Sequence, residues 1–103
     1  MPFDGAPLTP RAAVALARDL IAAASFAHHE FITHEESPRY CILGALGMRD
    51  LNDPLPAGAR LVYRALPFLQ RVIARFDVIT AVTLYNDTHT ETEVLTLLDR
   101  AMR

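Results

Sequence analysis

Only one of the 103 residues is a cysteine, Cys41, so no internal disulfide can form and the chain suits a reducing compartment. Lysine is absent altogether. All ten basic residues are arginine, which reflects a GC-rich coding sequence and points to no function. The formal net charge is −2, so the chain lacks the basic footprint that drives nucleic-acid binding. No apolar run approaches the ~20 residues needed to span a bilayer. The stretch from Met1 to Pro10 carries proline and glycine but no basic run and no long apolar core, which excludes a signal peptide. The expectation is a soluble, cytoplasmic protein.

What is present is core-forming material. Hydrophobic residues make up 51% and charged residues 21%, the balance of an ordinary globular chain rather than a disordered one. The length fits one domain. Residues 1–8 read as a loose leader and 9–103 as a single helical domain.

The chain is organised around Cys41-Ile42-Leu43-Gly44-Ala45-Leu46-Gly47, introduced by Ser37-Pro38-Arg39-Tyr40. Each glycine inside a helix costs about 1 kcal/mol relative to alanine, and this short segment has two. Such a segment needs another backbone or a ligand close against it. Ser37-Pro38 supplies an N-cap followed by proline, so a short central helix is expected to open there and to end at Gly47.

Thr9-Pro10 gives the same start signal earlier. From there Ala13, Ala17, Leu20, Ile21, Ala24 and His28 recur at helical spacing, predicting a helix to about residue 28. His28 to Glu36 reads as a polar loop with a brief extended piece at Phe31-Ile32-Thr33. After the turn-rich Asn52-Asp53-Pro54-Leu55-Pro56, a stripe of Val62, Ala65, Leu66, Leu69, Val72, Ile73 and Phe76 predicts an amphipathic helix. Pro67 should kink it or divide it after Leu66.

Residues 77–85 are rich in β-branched side chains, yet no second strand exists to pair with them, which favours helix. Asn86-Asp87-Thr88-His89 reads as a polar loop. Thr90-Glu91-Thr92-Glu93 has the capping-box form and opens a last helix carrying Val94, Leu95, Leu98, Ala101 and Met102 inward.

Three blocks in this order carry a resemblance: Cys41-Ile-Leu-Gly-Ala-Leu46, Tyr85-Asn86-Asp87, and Glu93-Val94-Leu95 with Leu97, Leu98 and Ala101. The chain resembles a family of small, uncharacterised bacterial and phage proteins, over roughly residues 11–102. It departs from that pattern in having Tyr85 where members usually have tryptophan. It also has only Thr88-His89-Thr90 in place of a longer glycine-containing loop. The resemblance implies a mostly helical fold and no particular activity.

Several groups could form a site. Cys41, at the start of the central helix, would have its thiol activated by the helix dipole, and His89 with Asp87 could complete a Cys–His–Asp arrangement for nucleophilic catalysis. The competing reading makes Cys41 a small buried apolar residue. Asn86 and Asp87 suit backbone capping. Alternatively they form, with Tyr40 and Tyr85, a polar binding site where their loop meets the central helix. His28, His29 and His34 with Glu30, Glu35 and Glu36 have the composition of a metal cluster but not its spacing, so a solvated loop and no metal are expected. Arg60, Arg64, Arg71 and Arg75 form a stripe that Asp50, Asp53, Asp77 and Asp99 offset, as on a solvated helix face.

The expected fold is all-α or nearly so, four to five helices in a compact orthogonal bundle around the Cys41–Gly47 helix. The expected function is a non-catalytic interaction protein of a bacterium or phage, with another protein as partner, self-association as one form of it, and no cofactor. The alternative is a small enzyme using Cys41, His89 and Asp87.

Overall fold

A computed structural model describes residues 9–66 and 75–103, and these described residues form five helices and no strand. They are α1 (Pro10–Ala24), α2 (Ile42–Ala45), α3 (Ala59–Ala65), α4 (Arg75–Thr88) and α5 (Glu91–Ala101). The expected all-α bundle is what forms. α1 packs on α2, α3 and α5, while α4 packs on α2 and α3. Ile42 and Leu43 of α2 are fully buried in the core these helices share with Val14, Ile21, Val62, Val82, Val94 and Leu98. Among the described residues no helix is long and apolar enough to cross a membrane.

α1 starts as expected: the Thr9 hydroxyl accepts from the Ala12 N–H at 3.1 Å and Pro10 occupies the first turn. It buries Ala13, Val14, Ala17 and Ile21. It ends at Ala24 rather than near residue 28. Ser25 turns the chain at φ 102°, and the Ala27 N–H then donates to the Tyr40 carbonyl instead of continuing the helix. His28 is exposed accordingly.

The central helix is shorter than the Ser37-Pro38 signal suggests. Residues 39–41 are held extended by pairing on both sides: Thr33 N–H to Arg39 O, Tyr40 N–H to Ser25 O, and Cys41 N–H to Phe31 O. Tyr40 thereby bridges Phe26 in parallel and Ile32 antiparallel, which accounts for the extended piece expected at 31–33. Backbone committed to those pairs cannot be helical, so Cys41 becomes the N-cap. Its Sγ accepts from the Gly44 N–H at 3.3 Å.

Gly47 ends α2 as expected. At φ 114° it lets its own N–H reach Gly44 O and the Met48 N–H reach Leu43 O, the paired bonds that close a helix through a left-handed residue. Arg49 covers the Gly44 and Met48 carbonyls from outside.

α3 stops at Leu66, whose ψ of 144° is the extended conformation a following proline imposes. The rest of that stripe (Leu69, Val72 and Ile73, with the Phe76 side chain) lies outside the described residues, as do the Arg71 and Arg75 side chains. Arg60 and Arg64 are exposed.

Residues 77–85 are helical, the alternative that the missing partner strand favoured. Val78, Ile79, Val82 and Asn86 fall on one buried face of α4. Asn86, Asp87 and Thr88 are not loop but the last turn of α4, because Asn86 is needed on that inward face. In α5, Leu97 joins Val94, Leu98 and Ala101 in the core, while Leu95 and Met102 are only half-buried.

The capping box forms in both directions: Glu93 N–H to Thr90 Oγ1 at 3.2 Å and Thr90 N–H to Glu93 Oε1 at 2.9 Å. The Thr90 backbone N–H holds the Glu93 carboxyl below the usual range. A depressed folded value stabilises above the ordinary carboxylate pKa, and that help is lost as pH falls through the depressed value. Thr90→Ala should destabilise the protein by about 1 kcal/mol, as removal of an N-cap typically does. Urea denaturation checks this, and a midpoint equal to that of the parent protein would contradict it.

Candidate functional site

Four α4 residues, Val82, Thr83, Asn86 and Asp87, stand at helical spacing on one face and form a wall of a cleft of about 300 Å³. Cys41 and Leu43 from the start of α2 and His29, Glu30 and Phe31 from the loop after α1 form its other sides. Leu51, 60% exposed, extends the apolar lining outward.

Asn86 fixes these parts to one another. Its side chain is 1% exposed and makes three hydrogen bonds. Oδ1 accepts from the Ile42 N–H at 2.9 Å, which ties α4 to the first turn of α2. Nδ2 donates to Ala27 O and to Asp87 Oδ1, each at 3.0 Å, which ties α4 to the loop after α1. A capping role for Asn86 was the expectation from sequence. The backbone groups it serves are 44 and 59 residues away, not in its own turn.

Asp87 holds the rim. Its Oδ1 also accepts from the His29 backbone N–H at 2.8 Å, and its Oδ2 lies 3.3 Å from His29 Nδ1. His29 sits at φ 65°, a left-handed conformation uncommon for a side-chain-bearing residue, which points its N–H at the carboxylate.

Cys41 lines the cleft but is only 7% exposed. Burial pushes its thiol pKa up, and the negative charge of Asp87 adds to this against the opposing N–H groups of Gly44 and Leu43. Burial prevails over the local N–H donors here. A thiol in this setting is poorly ionised and a poor nucleophile near neutral pH.

The structure brings Cys41, Asn86 and Asp87 into one site and places His89 elsewhere. The His89 ring stacks on Tyr85 with centroids 3.6 Å apart and planes within 10°. Its Nδ1 lies 2.8 Å from Tyr85 O, and its own carbonyl accepts from His28 Nε2 at 2.8 Å. Neither His89 nor Tyr85 nor Tyr40 lines the cleft. The histidine beside Asp87 is His29. The sequence had flagged it only as part of the polar His/Glu loop, and its left-handed backbone and 58-residue reach to Asp87 leave no local pattern. Among the described residues no three His, Cys, Asp or Glu side chains are grouped as metal ligands.

The match of a family model over residues 5–103 decides where the chain belongs. It is a member of DUF6197, a family of unknown function. The resemblance read from the Cys41, Asn86 and Glu93 blocks was to a family of unknown function, and the match is to one. The DUF6197 region contains every residue of the cleft, so the site is part of the family domain. No curated protein and no solved structure matches the chain. Membership of DUF6197 therefore assigns no activity, and the functional reading rests on the cleft.

Proposed function

We propose that this chain is a non-catalytic binding protein of a bacterium or phage that engages another protein through the cleft between α2, α4 and the loop at residues 29–31. The observation that supports it is a preformed cleft, anchored by Asn86, in which burial pushes the pKa of the one thiol up rather than down. A binding surface needs fixed walls and an apolar lining, and Phe31, Leu43, Leu51 and Val82 supply the lining. Nothing in the net charge of −2 favours nucleic acid.

The alternative, nucleophilic catalysis by Cys41 with His89 and Asp87, requires an ionisable thiol and a base within reach of it. In this conformation the His89 ring is committed to Tyr85.

Thiol modification of native protein between pH 5 and 9 separates the two readings. We expect Cys41 to react at least roughly tenfold slower than in the unfolded chain, with a midpoint above the ordinary thiol value. A fast thiol that titrates at low pH and slows in His89→Ala would transfer the assignment to the enzyme.

A further inference from the structure

Apart from the titratable His29, the charged groups lining the cleft are of one sign. Glu30 and Asp87 both line it, no arginine does, and Glu30 makes no ion pair among the described residues. Two carboxylates beside an apolar lining are complementary to a cation carried next to an apolar group. Asp87 retains capacity for such a group. Its Oδ1 already accepts two N–H bonds, but among the described residues Oδ2 has only the His29 ring at 3.3 Å, and a carboxylate offers about four acceptor positions. His29 itself is 76% exposed along its side chain, so its ring can turn aside without disturbing the core.

The size of the cleft bears on the occupant. At about 300 Å³ it stands at the lower limit of sites that enclose a whole small molecule. It suits one projecting side chain whose parent chain stays outside, with the exposed Leu51 offering further apolar contact at the edge.

Resting on the binding reading above, we propose that the cleft receives an apolar side chain of a partner protein, with an adjacent arginine or lysine of that partner paired to Glu30 and Asp87. The apolar group would lie against Phe31, Leu43 and Val82. The cation would approach Asp87 Oδ2 from the Glu30 side.

The test is amide chemical-shift mapping on the full ¹⁵N-labelled chain with three blocked tetrapeptides, Gly-Leu-Arg-Gly, Gly-Leu-Gln-Gly and Gly-Leu-Glu-Gly. The expected result is saturable shifts confined to residues 29–31, 41–44 and 82–87, with the arginine peptide on the order of tenfold tighter than the glutamate peptide. Glu30→Gln, an exposed change that the fold should tolerate, should shrink that preference. Equal affinity for all three peptides would overturn the cationic partner while leaving the binding cleft standing. No shift at the cleft with any peptide would overturn both. Isoamylamine binding as tightly as the arginine peptide would assign a small amine instead, and concentration-dependent shifts without peptide would assign a second copy of the chain. Either of these would also overturn the proposal.

Discussion

Asn86→Leu is expected to cost about 4 kcal/mol of folding stability, enough to lower Tm by roughly 15–25 °C in a domain of this size. Leucine keeps asparagine's branching and is the larger side chain, so none of this is cavity. It arises from the two backbone groups left behind. The Ile42 N–H and the Ala27 carbonyl belong to residues 0% and 3% exposed, and each loses its side-chain partner. A buried polar group without a partner costs about 1–3 kcal/mol.

Asp87→Asn separates anchoring from rim chemistry. The amide oxygen can still accept from the His29 N–H, so a loss near 1 kcal/mol is expected, within the usual range for one hydrogen bond. Urea denaturation followed by circular dichroism gives both values. If Asn86→Leu were no worse than Asp87→Asn, the loop and α2 would be held by their own packing rather than by Asn86.

The same residue shows where the sequence was legible and where it was not. Signals that act within one turn were readable: Thr9-Pro10, the Thr90–Glu93 capping box, and Gly47 as the residue that closes α2. The helix at 77–85 was readable from an absence, since β-branched residues without a partner strand must pack as something else. The errors all lie where distant backbone competes with a local preference. Tyr40 pairs with Ser25 and Ala27, and that one contact both shortens α1 and delays α2 past Ser37-Pro38. Asn86 and Asp87 read locally as loop residues, yet their partners at Ile42, Ala27 and His29 draw them into the final turn of α4. The site followed suit. Of the six residues named for it, Cys41, Asn86 and Asp87 converge while Tyr40, Tyr85 and His89 do not line the cleft, and the histidine beside Asp87 comes from across the fold.

Gly44→Ala is the sharper test of how the cleft is built. A Cβ at Gly44 would stand 1.8 Å from Phe31 O and 2.5 Å from Phe31 C, both backbone atoms that no rotamer change can move. Of the two glycines expected to admit a close approach, Gly44 alone does so, and what it admits is backbone. The contact lies between α2 and the loop that also supplies a wall of the cleft. Accommodating the methyl group would push Phe31 away and break the Cys41 N–H to Phe31 O bond at 3.1 Å.

Overpacking costs about 1–3 kcal/mol and the lost bond about 1 more, against about 1 recovered from alanine's helix preference, so the net loss should be about 1–3 kcal/mol. Gly47→Ala is the control. It meets nothing within 4 Å and suffers only from its φ of 114°, a conformational cost of about 1–2 kcal/mol. The two variants should also differ at the thiol. Phe31 lies against Cys41 across their shared backbone bond, so moving it should expose Sγ and speed alkylation of folded Gly44→Ala. Gly47→Ala acts beyond the far end of α2 and should leave that rate unchanged. Equal alkylation rates in the two variants would mean that Phe31 does not shield the thiol. The burial that raises the Cys41 pKa would then have to come from the helices instead.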